Sequence, residues 1–316
     1  MPVLPSPLFA PIQLGPNRLA NRMVMAPMSR NRAQAEAAHA LTAKYYAQRI
    51  GAGLIVSEAS AVSPEGGGKR GAPGVYSEAQ VAGWRLVTEA VHARGGKIFV
   101  QLWHAGPRAL ALEEIPAVVA QFAAAARNAK DAAFDGVEIH AANGYLIDQF
   151  LRDGANRRTD AYGGAAANRA RLLLEILDAV ASAWDAGRVG VRLSPVNAFN
   201  GMKDADPQRT FNALARALGE RTLAFLHVDE TPGEPFDWPA FRGCYPGVYI
   251  ANGGYDRARA VAALESGHAD LVSFGVLYLA NPDLAARFRA GAPLNSPDRA
   301  TFYEGGERGY TDYPSL

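Results

Sequence analysis

The sequence contains very little cysteine. Cys244 is the single cysteine among 316 residues. The chain therefore has no second thiol for an internal disulfide, and too few thiolates for a four-cysteine zinc site or a cysteine-held iron–sulfur cluster. Those three kinds of site are excluded.

Net charge and long apolar runs are also scarce. The formal net charge is +1, so no strong electrostatic field points to nucleic acid or an anionic membrane. No window reaches the ~18 apolar residues that span a bilayer. The N-terminal stretch MPVLPSPLFAPIQLG lacks the regions of a signal peptide. We expect a cytoplasmic monomer or homodimer whose partner is a small molecule, with no nucleic acid or membrane partner.

Eight short apolar runs alternate with segments of helical period. The runs are RMVMAP, AGLIVSEAS, KIFVQLWH, GVEIHAAN, RVGVRLSP, LAFLHVDE, GVYIANGG and DLVSFGV. Amphipathic segments between them include residues 78–94, 114–133, 168–186, 207–218 and 256–266, where apolar residues recur three and four apart. This alternation predicts an α/β fold, a (β/α)₈ TIM barrel formed by residues 1–316 as a single domain.

Polar residues follow the apolar runs at the strand ends. TIM barrels carry their chemistry at the C-terminal ends of the strands, so these are the candidate site residues. They include Ser29, Glu58, Gln101, His104, His140, Asn143, Arg192, His227, Asp229, Asn252 and Ser273. The sequence therefore predicts a site lined by hydrogen-bonding groups and few charges.

Two glycine-containing turns follow the last two runs, in IANGGYD (250–256) and SFGVLYLANPDL (273–284). Backbone N–H groups at such turns form anion sites, and the loops after strands seven and eight are the usual phosphate position in these barrels. The alternative is that the glycines serve only the turns. We expect a phosphate-bearing cofactor at this place.

Arg192 lies inside an apolar run and needs a strongly accepting partner. One interpretation is a structural ion pair with a neighbour such as Glu138. The other is a cation that faces the electron-rich edge of a flavin, where Gln101 could hydrogen-bond the same ring. The alternative for Gln101 is a core glutamine whose hydrogen bonds are all made within the protein.

The stretch EIHAANGYL brings His140, Asn143 and Tyr145 close together in sequence. Their spacing of three and then two fits one face of neither a helix nor a strand, but a turn at Asn143 and Gly144 could gather them. Histidine and asparagine can both donate to one carbonyl oxygen. A tyrosine hydroxyl, protonated at neutral pH, could deliver a proton. Each residue taken alone also has a structural interpretation: a hydrogen-bonded core histidine, an asparagine in a turn and a tyrosine anchored on the barrel rim.

Several motifs together resemble the Old Yellow Enzyme family of FMN-dependent ene reductases. They are MAPMSR, QLWHAG, EIHAANGYLIDQFLRDGANRRTDAYGG, GVRLSPVNAF and ANPDL. The likeness extends from NRMVMAPMSRNRAQ near the N-terminus to TFYEGGERGYTDYP near the C-terminus. It implies bound FMN, with NADPH or NADH as the diffusible hydride donor and an activated alkene as the substrate.

The resemblance also implies a role for individual residues. The flavin ring would be lined by Pro27, Met28, Ser29, Ala59, Gln101 and Arg192. The phosphate would lie at Asn252, Gly253, Gly254, Gly275 and Val276. His140 and Asn143 would bind the substrate carbonyl or nitro group, Tyr145 would protonate the α-carbon, and Tyr303 would close over the substrate.

The sequence departs from this family at two places. Val276 stands where members generally carry an arginine that grips the flavin phosphate, so a charge-assisted contact is missing. The connection WHAGPRALALEEIP is much shorter than the excursion that usually caps the site, although short connections are normal in barrels. We expect weaker FMN binding and a wider, wetter substrate entrance.

Two other functions are compatible with the sequence. A metal-dependent hydrolase could use His104, His140, His227 and Asp229 as ligands, although no paired motif such as His-x-His is present. A flavin-binding barrel with impaired or lost turnover would be explained by the two departures.

Overall fold

The computed structural model describes residues 6–68, 71–106, 110–232 and 235–316. An antiparallel hairpin comes first, β1 (Ile12–Leu14) and β2 (Asn17–Leu19). A closed barrel of eight parallel strands follows. Its strands are β3 (Met23–Met25), β4 (Leu54–Ala61), β5 (Ile98–Trp103), β6 (Gly136–Ala141), β7 (Val189–Leu193), β8 (Phe225–Asp229), β9 (Tyr249–Asn252) and β10 (Leu271–Phe274). Because β10 pairs with β3, the ring closes, which confirms the predicted TIM barrel.

Helices connect the strands on the outside of the ring. They are α1 (Ala40–Ala47), α2 (Glu78–His92), α3 (Ile115–Asp131), α4 (Leu146–Leu151), α5 (Ala166–Ala183), α6 (Pro207–Gly219), α7 (Trp238–Gly243), α8 (Arg257–Glu265), α9 (Val276–Ala280) and α10 (Leu284–Ala290). The five predicted helical segments correspond to α2, α3, α5, α6 and α8. Within the described ranges, every helix is too short or too polar to span a bilayer.

Three of the connecting helices, α2, α6 and α8, begin after residues with capping side chains. The Ser77 hydroxyl accepts from the backbone N–H of Gln80 at the start of α2. Asp206 and Asp256 accept in the same way at the starts of α6 and α8. These contacts satisfy N–H groups that have no partner within the helix. Short polar residues therefore define where α2, α6 and α8 begin, whereas α3 and α5 begin without a side-chain cap.

Side chains on the barrel strands alternate between the inside and the outside of the ring. On β6, Val137 and Ile139 belong to the large apolar cluster between strands and helices, whereas Glu138 and His140 make polar or aromatic contacts in the interior. This follows from the two-residue period of a strand. Polar residues within apolar runs are therefore interior residues.

An apolar layer closes the N-terminal end of the barrel. Its buried members are Leu14, Leu19, Val24, Leu54, Val56, Phe99, Ala224, Phe225, Ile250 and Leu271. The hairpin supplies Leu14 and Leu19, so it covers the bottom of the ring. Polar interior residues such as Gln101 and Glu138 lie above this layer, towards the C-terminal ends of the strands.

The pairing of β4 with β5 shifts register between Val56 and Ala59. Such an irregularity bends a strand and redirects its side chains. After the shift, Ala59 pairs with Gln101 and both line the cavity at the open end. The irregularity therefore shapes the wall of the candidate site.

Candidate active site

A cavity of about 300 Å³ opens at the C-terminal ends of the strands. Ten predicted site residues line it: Pro27, Met28, Ser29, Ala59, Gln101, His140, Asn143, Tyr145, Val276 and Tyr303. The remaining five are not among the residues that line it: Arg192 lies in β7, Asn252 ends β9, Gly253 and Gly254 follow β9, and Gly275 follows β10. The fold thus brings together residues from positions 27 to 303.

The predicted turn at Asn143 and Gly144 is present. Both residues have positive φ, 59° and 71°, and a Cβ on Gly144 would lie 2.6 Å from the Cβ of Asn200. Glycine is therefore required at this position. The turn places His140, Asn143 and Tyr145 on the same cavity.

The turn is attached to the end of β7 and to α4. The Asn143 N–H donates to the Ser194 hydroxyl at 2.8 Å, and the Gly144 N–H donates to the Asp148 carboxylate at 2.9 Å. Arg152 donates to the same carboxylate at 3.0 Å and to the Ser194 carbonyl oxygen. Burial raises the pKa of Asp148, and Arg152 opposes that shift. These contacts hold the turn rigidly.

Tyr145 is positioned by aromatic contacts. Its ring meets the Trp103 ring edge-on, with centroids 5.3 Å apart, and the His140 ring with centroids 5.1 Å apart. Edge-to-face packing of this kind restricts ring orientation. The hydroxyl is therefore held at a defined place in the cavity.

A connected polar layer lies in the barrel interior below the cavity. Gln101 donates to Glu138 at 2.7 Å, and Glu138 lies 2.7 Å from His227 Nδ1. Arg192 approaches His227 Nε2 at 2.7 Å and donates to the Asn252 side-chain oxygen at 2.9 Å. Burial lowers the pKa of His227, and the Arg192 charge lowers it further. Within the described part of the chain, the Glu138 carboxylate contacts the His227 ring rather than the Arg192 guanidinium.

The two glycines of the turn after β9 differ in the space around them. Gly253 has φ of 117°, and a Cβ there would lie 2.4 Å from the Glu230 carbonyl oxygen. Gly254 has φ of 68° and nothing within 4 Å of a Cβ. Arg259 donates to the Gly253 carbonyl oxygen at 2.7 Å. The turn thus exposes bare backbone at Gly254, as an anion site requires, whereas Gly253 is buried.

Gly275 and Val276 lie at the start of α9, next to that turn in the barrel. A Cβ on Gly275 would be 3.5 Å from the Met28 sulfur. The Val276 side chain lines the cavity and is 41% exposed. An apolar, partly exposed side chain therefore occupies the position where the resemblance implies an arginine.

The rim of the cavity includes aromatic residues from two distant segments. Phe199 is 56% exposed and Tyr303 is 63% exposed. Phe302 and Leu279 also line the cavity. The sequence interpretation missed Phe199, Phe302 and Leu279, although Phe199 ends the GVRLSPVNAF motif and Phe302 adjoins Tyr303. Their closeness in sequence to predicted motifs and site residues was the signal that could have identified them.

Two buried arginines hold the segment that carries Phe302 and Tyr303. Arg30 donates to the carbonyl oxygens of Phe302 at 2.9 Å and Gly309 at 2.7 Å. Arg32 donates to those of Thr301 at 2.8 Å and Gly306 at 2.9 Å. Guanidinium groups present several donors in one plane, which suits such multiple contacts. We name residues 301–309 the rim segment.

Glu58 lies behind the Ser29 side of the cavity and is 2% exposed. Its carboxylate accepts from the Arg30 N–H at 3.0 Å. Burial raises the pKa of Glu58 to about 7, although the Arg30 contacts oppose that shift. A carboxylic acid therefore titrates near neutrality close to the site.

The proposed metal ligands are not gathered. Among the described residues, no group of three or more His, Cys, Asp and Glu side chains could hold a metal ion. His227 is engaged with Glu138 and Ser273, and His104 Nδ1 accepts from the Gly106 N–H at 3.2 Å. This geometry disfavours the hydrolase interpretation.

The chain matches a known family over nearly its whole length. The sequence profile of the NADH:flavin oxidoreductase / NADH oxidase family matches residues 7–113 and 107–295. The two matches meet in the connection between β5 and α3. That is the connection predicted to be shortened.

Known proteins of similar sequence include plant and protozoan enzymes. A protein of Oryza sativa subsp. japonica named 12-oxophytodienoate reductase 7 is 41% identical over 376 residues, 98% of this chain and 95% of that protein. One of Leishmania infantum, named a probable flavin mononucleotide-dependent alkene reductase, is 42% identical over 358 residues, 98% of this chain and 97% of that protein. Both alignments are longer than the 316-residue chain, so these relatives carry segments that it lacks.

Solved structures of similar fold agree with these matches. Morphinone reductase in complex with tetrahydroNAD has a TM-score of 0.95 and 44% identity, covering 98% of this chain and 97% of that chain. The old yellow enzyme homologue from Zymomonas mobilis has a TM-score of 0.96 and 41% identity, covering 98% of this chain and 99% of that chain.

Proposed function

Because this chain belongs to the NADH:flavin oxidoreductase / NADH oxidase family, we propose that it is an FMN-dependent ene reductase. It reduces the activated C=C bond of α,β-unsaturated carbonyl or nitro compounds with hydride from NADPH or NADH. The observation that carries this proposal is the convergence of His140, Asn143 and Tyr145 on a cavity whose other wall contains Ser29 and Gln101.

The residues present fit FMN. Gln101 offers an amide, and the Arg192 guanidinium has five N–H donors, more than its contacts with His227 and Asn252 use. The wall for the flavin ring comprises Pro27, Met28, Ser29, Ala59, Gln101 and Arg192. The phosphate would lie against Asn252, Gly253, Gly254, Gly275 and Val276, and the open space beside Gly254 supports this assignment. FMN supplies the hydride transfer, from the nicotinamide nucleotide to the β-carbon of the alkene.

The protein side chains supply binding and proton delivery. His140 and the Asn143 amide donate to the substrate carbonyl or nitro oxygen, so negative charge that develops on that oxygen is stabilised. Tyr145, held by Trp103 and His140, protonates the α-carbon. Tyr303 on the rim covers the bound substrate.

A second candidate is a flavin-binding barrel that has lost turnover. The observation that favours it is Val276, which brings no charge to the phosphate position and leaves apolar surface exposed. This candidate retains bound FMN but fails to reoxidise with an alkene. Anaerobic mixing of the NADPH-bleached protein with cyclohexenone distinguishes the two, because only the ene reductase recovers its flavin absorbance.

Tyr145→Phe tests the proposed roles directly. Proton donation by a positioned side chain contributes roughly 10²- to 10⁴-fold to rate, so alkene reduction should slow by about that factor. Bleaching of the flavin by NADPH should keep its rate, because that half-reaction needs no proton from Tyr145. Stopped-flow absorbance measures both steps, and equal losses in both would show that the proton-donor role is wrong.

Two further features belong to the proposal. All barrel strands and connecting helices lie between residues 12 and 290, which supports one FMN-binding domain over residues 1–316. The enzyme acts as a monomer or homodimer in the cytoplasm. Light scattering after size-exclusion chromatography tests the oligomeric state.

A further inference from the structure

We infer that Glu138 is a positioning residue for the flavin site. Its buried carboxylate orients Gln101 directly and Arg192 through His227, and thereby tunes the affinity and reduction potential of bound FMN. This inference rests on the proposed function, in which Gln101 and Arg192 contact the flavin ring. It adds a residue that lies one layer below the ring.

The first arm of the arrangement runs from Glu138 to Gln101. The two residues are register partners on β6 and β5, and Gln101 Nε2 donates to Glu138 Oε1 at 2.7 Å. An ionised carboxylate only accepts hydrogen bonds, so the amide must turn its NH₂ group towards Glu138. The amide oxygen of Gln101 then faces away from Glu138, towards the cavity that Gln101 lines. Glu138 thus decides which atom Gln101 presents.

The second arm runs from Glu138 through His227 to Arg192. Glu138 Oε2 lies 2.7 Å from His227 Nδ1, and Arg192 Nη1 lies 2.7 Å from His227 Nε2. The Glu138 carboxylate only accepts, so the proton of the neutral ring is on Nδ1, and Nε2 accepts from Arg192, whose Nη1 lies farther from Nδ1, at 3.2 Å. The lowered pKa of His227 agrees with a neutral ring. The carboxylate therefore fixes the tautomer, and the tautomer fixes the contact with Arg192.

Ser273 and Asn252 complete the arrangement. The Ser273 hydroxyl lies 2.7 Å from His227 Nε2, and Asn252 accepts from Arg192 Nη2 at 2.9 Å while it donates to the Ser273 carbonyl oxygen at 3.2 Å. Asn252 belongs to the proposed phosphate position. One connected set of contacts therefore extends from Gln101, at the proposed flavin-ring position, to Asn252, at the proposed phosphate position.

Because Glu138 is buried, its charge acts strongly on the neighbouring groups. Glu138 and His227 are fully buried, and Arg192 is 6% exposed. Charges interact strongly where solvent is excluded. With His227 neutral, the negative charge of Glu138 offsets the positive charge of Arg192. Removing it would make the surroundings of the ring more positive, which favours the negative charge that the ring gains with a hydride.

Glu138→Gln tests the inference. We expect FMN to bind about tenfold more weakly, as for the loss of one hydrogen bond to a charged group, and the midpoint potential of bound flavin to become more positive. Fluorescence titration measures the affinity, and anaerobic titration with a reference dye measures the potential. Glu138→Asp keeps the charge, so its potential should stay close to that of the unaltered protein.

Asp135→Asn is the matched control. Asp135 is 7% exposed, and its carboxylate accepts from the Ile98 N–H and contacts His92 and Lys97 before the start of β6, at the opposite end of the barrel. Asp135→Asn removes a buried carboxylate but leaves the polar layer around Glu138 unaltered. The affinity for FMN and the midpoint potential of bound flavin should therefore not change. If Glu138→Gln fails to fold by circular dichroism, His227→Gln takes its place. That variant breaks the second arm and should weaken FMN binding.

The outcomes separate the inference from the proposed function. Unaltered protein that binds no FMN or reduces no alkene would refute the proposed function. Unaltered protein that does both, together with a folded Glu138→Gln protein of unchanged affinity and potential, would refute only the role of Glu138. If His227→Gln is used instead, unchanged FMN affinity and an unchanged midpoint potential in that variant would also refute the role of Glu138.

Discussion

At the scale of single residues, Val276 tests how the phosphate is held. The side chain is 41% exposed at the start of α9, so the site has room for a longer residue. Val276→Arg should tighten FMN binding about 10- to 100-fold through one charge-assisted contact. Binding of riboflavin, which has no phosphate, should not change. Isothermal titration with both ligands measures the difference.

Val276→Leu is the control for added apolar volume at this position. It should leave the preference between FMN and riboflavin as it is in the unaltered protein. An equal gain for riboflavin in Val276→Arg would mean that the arginine acts on the ring or ribityl chain instead. The phosphate would then lie elsewhere.

Glu58 gives a prediction about pH. Its pKa is raised to about 7 by burial, above the ordinary value, so the folded state favours the protonated acid. The resulting stability is present below about pH 4.5 and is lost as pH rises towards 7. Glu58→Gln cannot ionise. Its stability relative to the unaltered protein should therefore rise between pH 5 and pH 8, by about 2–3 kcal/mol.

Urea unfolding at both pH values measures this change in the free energy of unfolding. Other titrating groups are shared by the two proteins and cancel in the difference. A stability difference that stays constant from pH 5 to pH 8 would show that Glu58 is ionised throughout this range.

At the scale of structural elements, the rim segment depends on Arg32. Its guanidinium donates to carbonyl oxygens along residues 301–309, including those of Thr301 and Gly306. Arg32→Lys keeps the charge but loses the planar set of donors. We expect faster amide hydrogen exchange in the rim segment and a several-fold higher KM for the alkene, because Tyr303 is held less firmly. The kcat should change less than KM.

Arg308→Lys serves as the control within the same segment. The Arg308 side chain is 73% exposed and pairs with Asp298 at 3.0 Å, and surface ion pairs contribute little to stability. Hydrogen exchange in this variant should match that of the unaltered protein. Equal exchange in Arg32→Lys would mean that the rim segment does not need the arginine.

At the scale of the whole molecule, we expect the short connection from β5 to α3 to leave a wide substrate entrance. A second cavity of about 580 Å³ lies on the other side of Tyr145 and is lined partly by Gly106, Gly144, Gln149 and Met202. With this space beside Tyr145, large enones should be accepted. We expect kcat/KM values for bulky and small cyclic enones to agree within about tenfold, the span that one 1.4 kcal/mol contact produces. A strong preference for one small enone would contradict this expectation.

The sequence by itself determined the barrel and most of the cavity wall. Strand runs and helical periods depend on local spacing, and Asn143 and Gly144 form the predicted turn because these residue types tolerate positive φ. Family motifs pointed to the ten predicted residues that meet in the cavity. Each of these signals can be identified without knowing which strands are neighbours.

Tertiary structure decided how distant side chains pair inside the ring. Arg192 contacts His227 and Asn252 rather than Glu138, because the strand register pairs Arg192 with His227 on β8, whereas on β6 it pairs Arg192 with His140 and Glu138 with Gly190. The register shift in β4, the raised pKa of Glu58 and the two arginines that hold the rim segment likewise depend on contacts between residues far apart in the chain. Burial and distance arise only when the barrel closes, so local sequence patterns do not contain them.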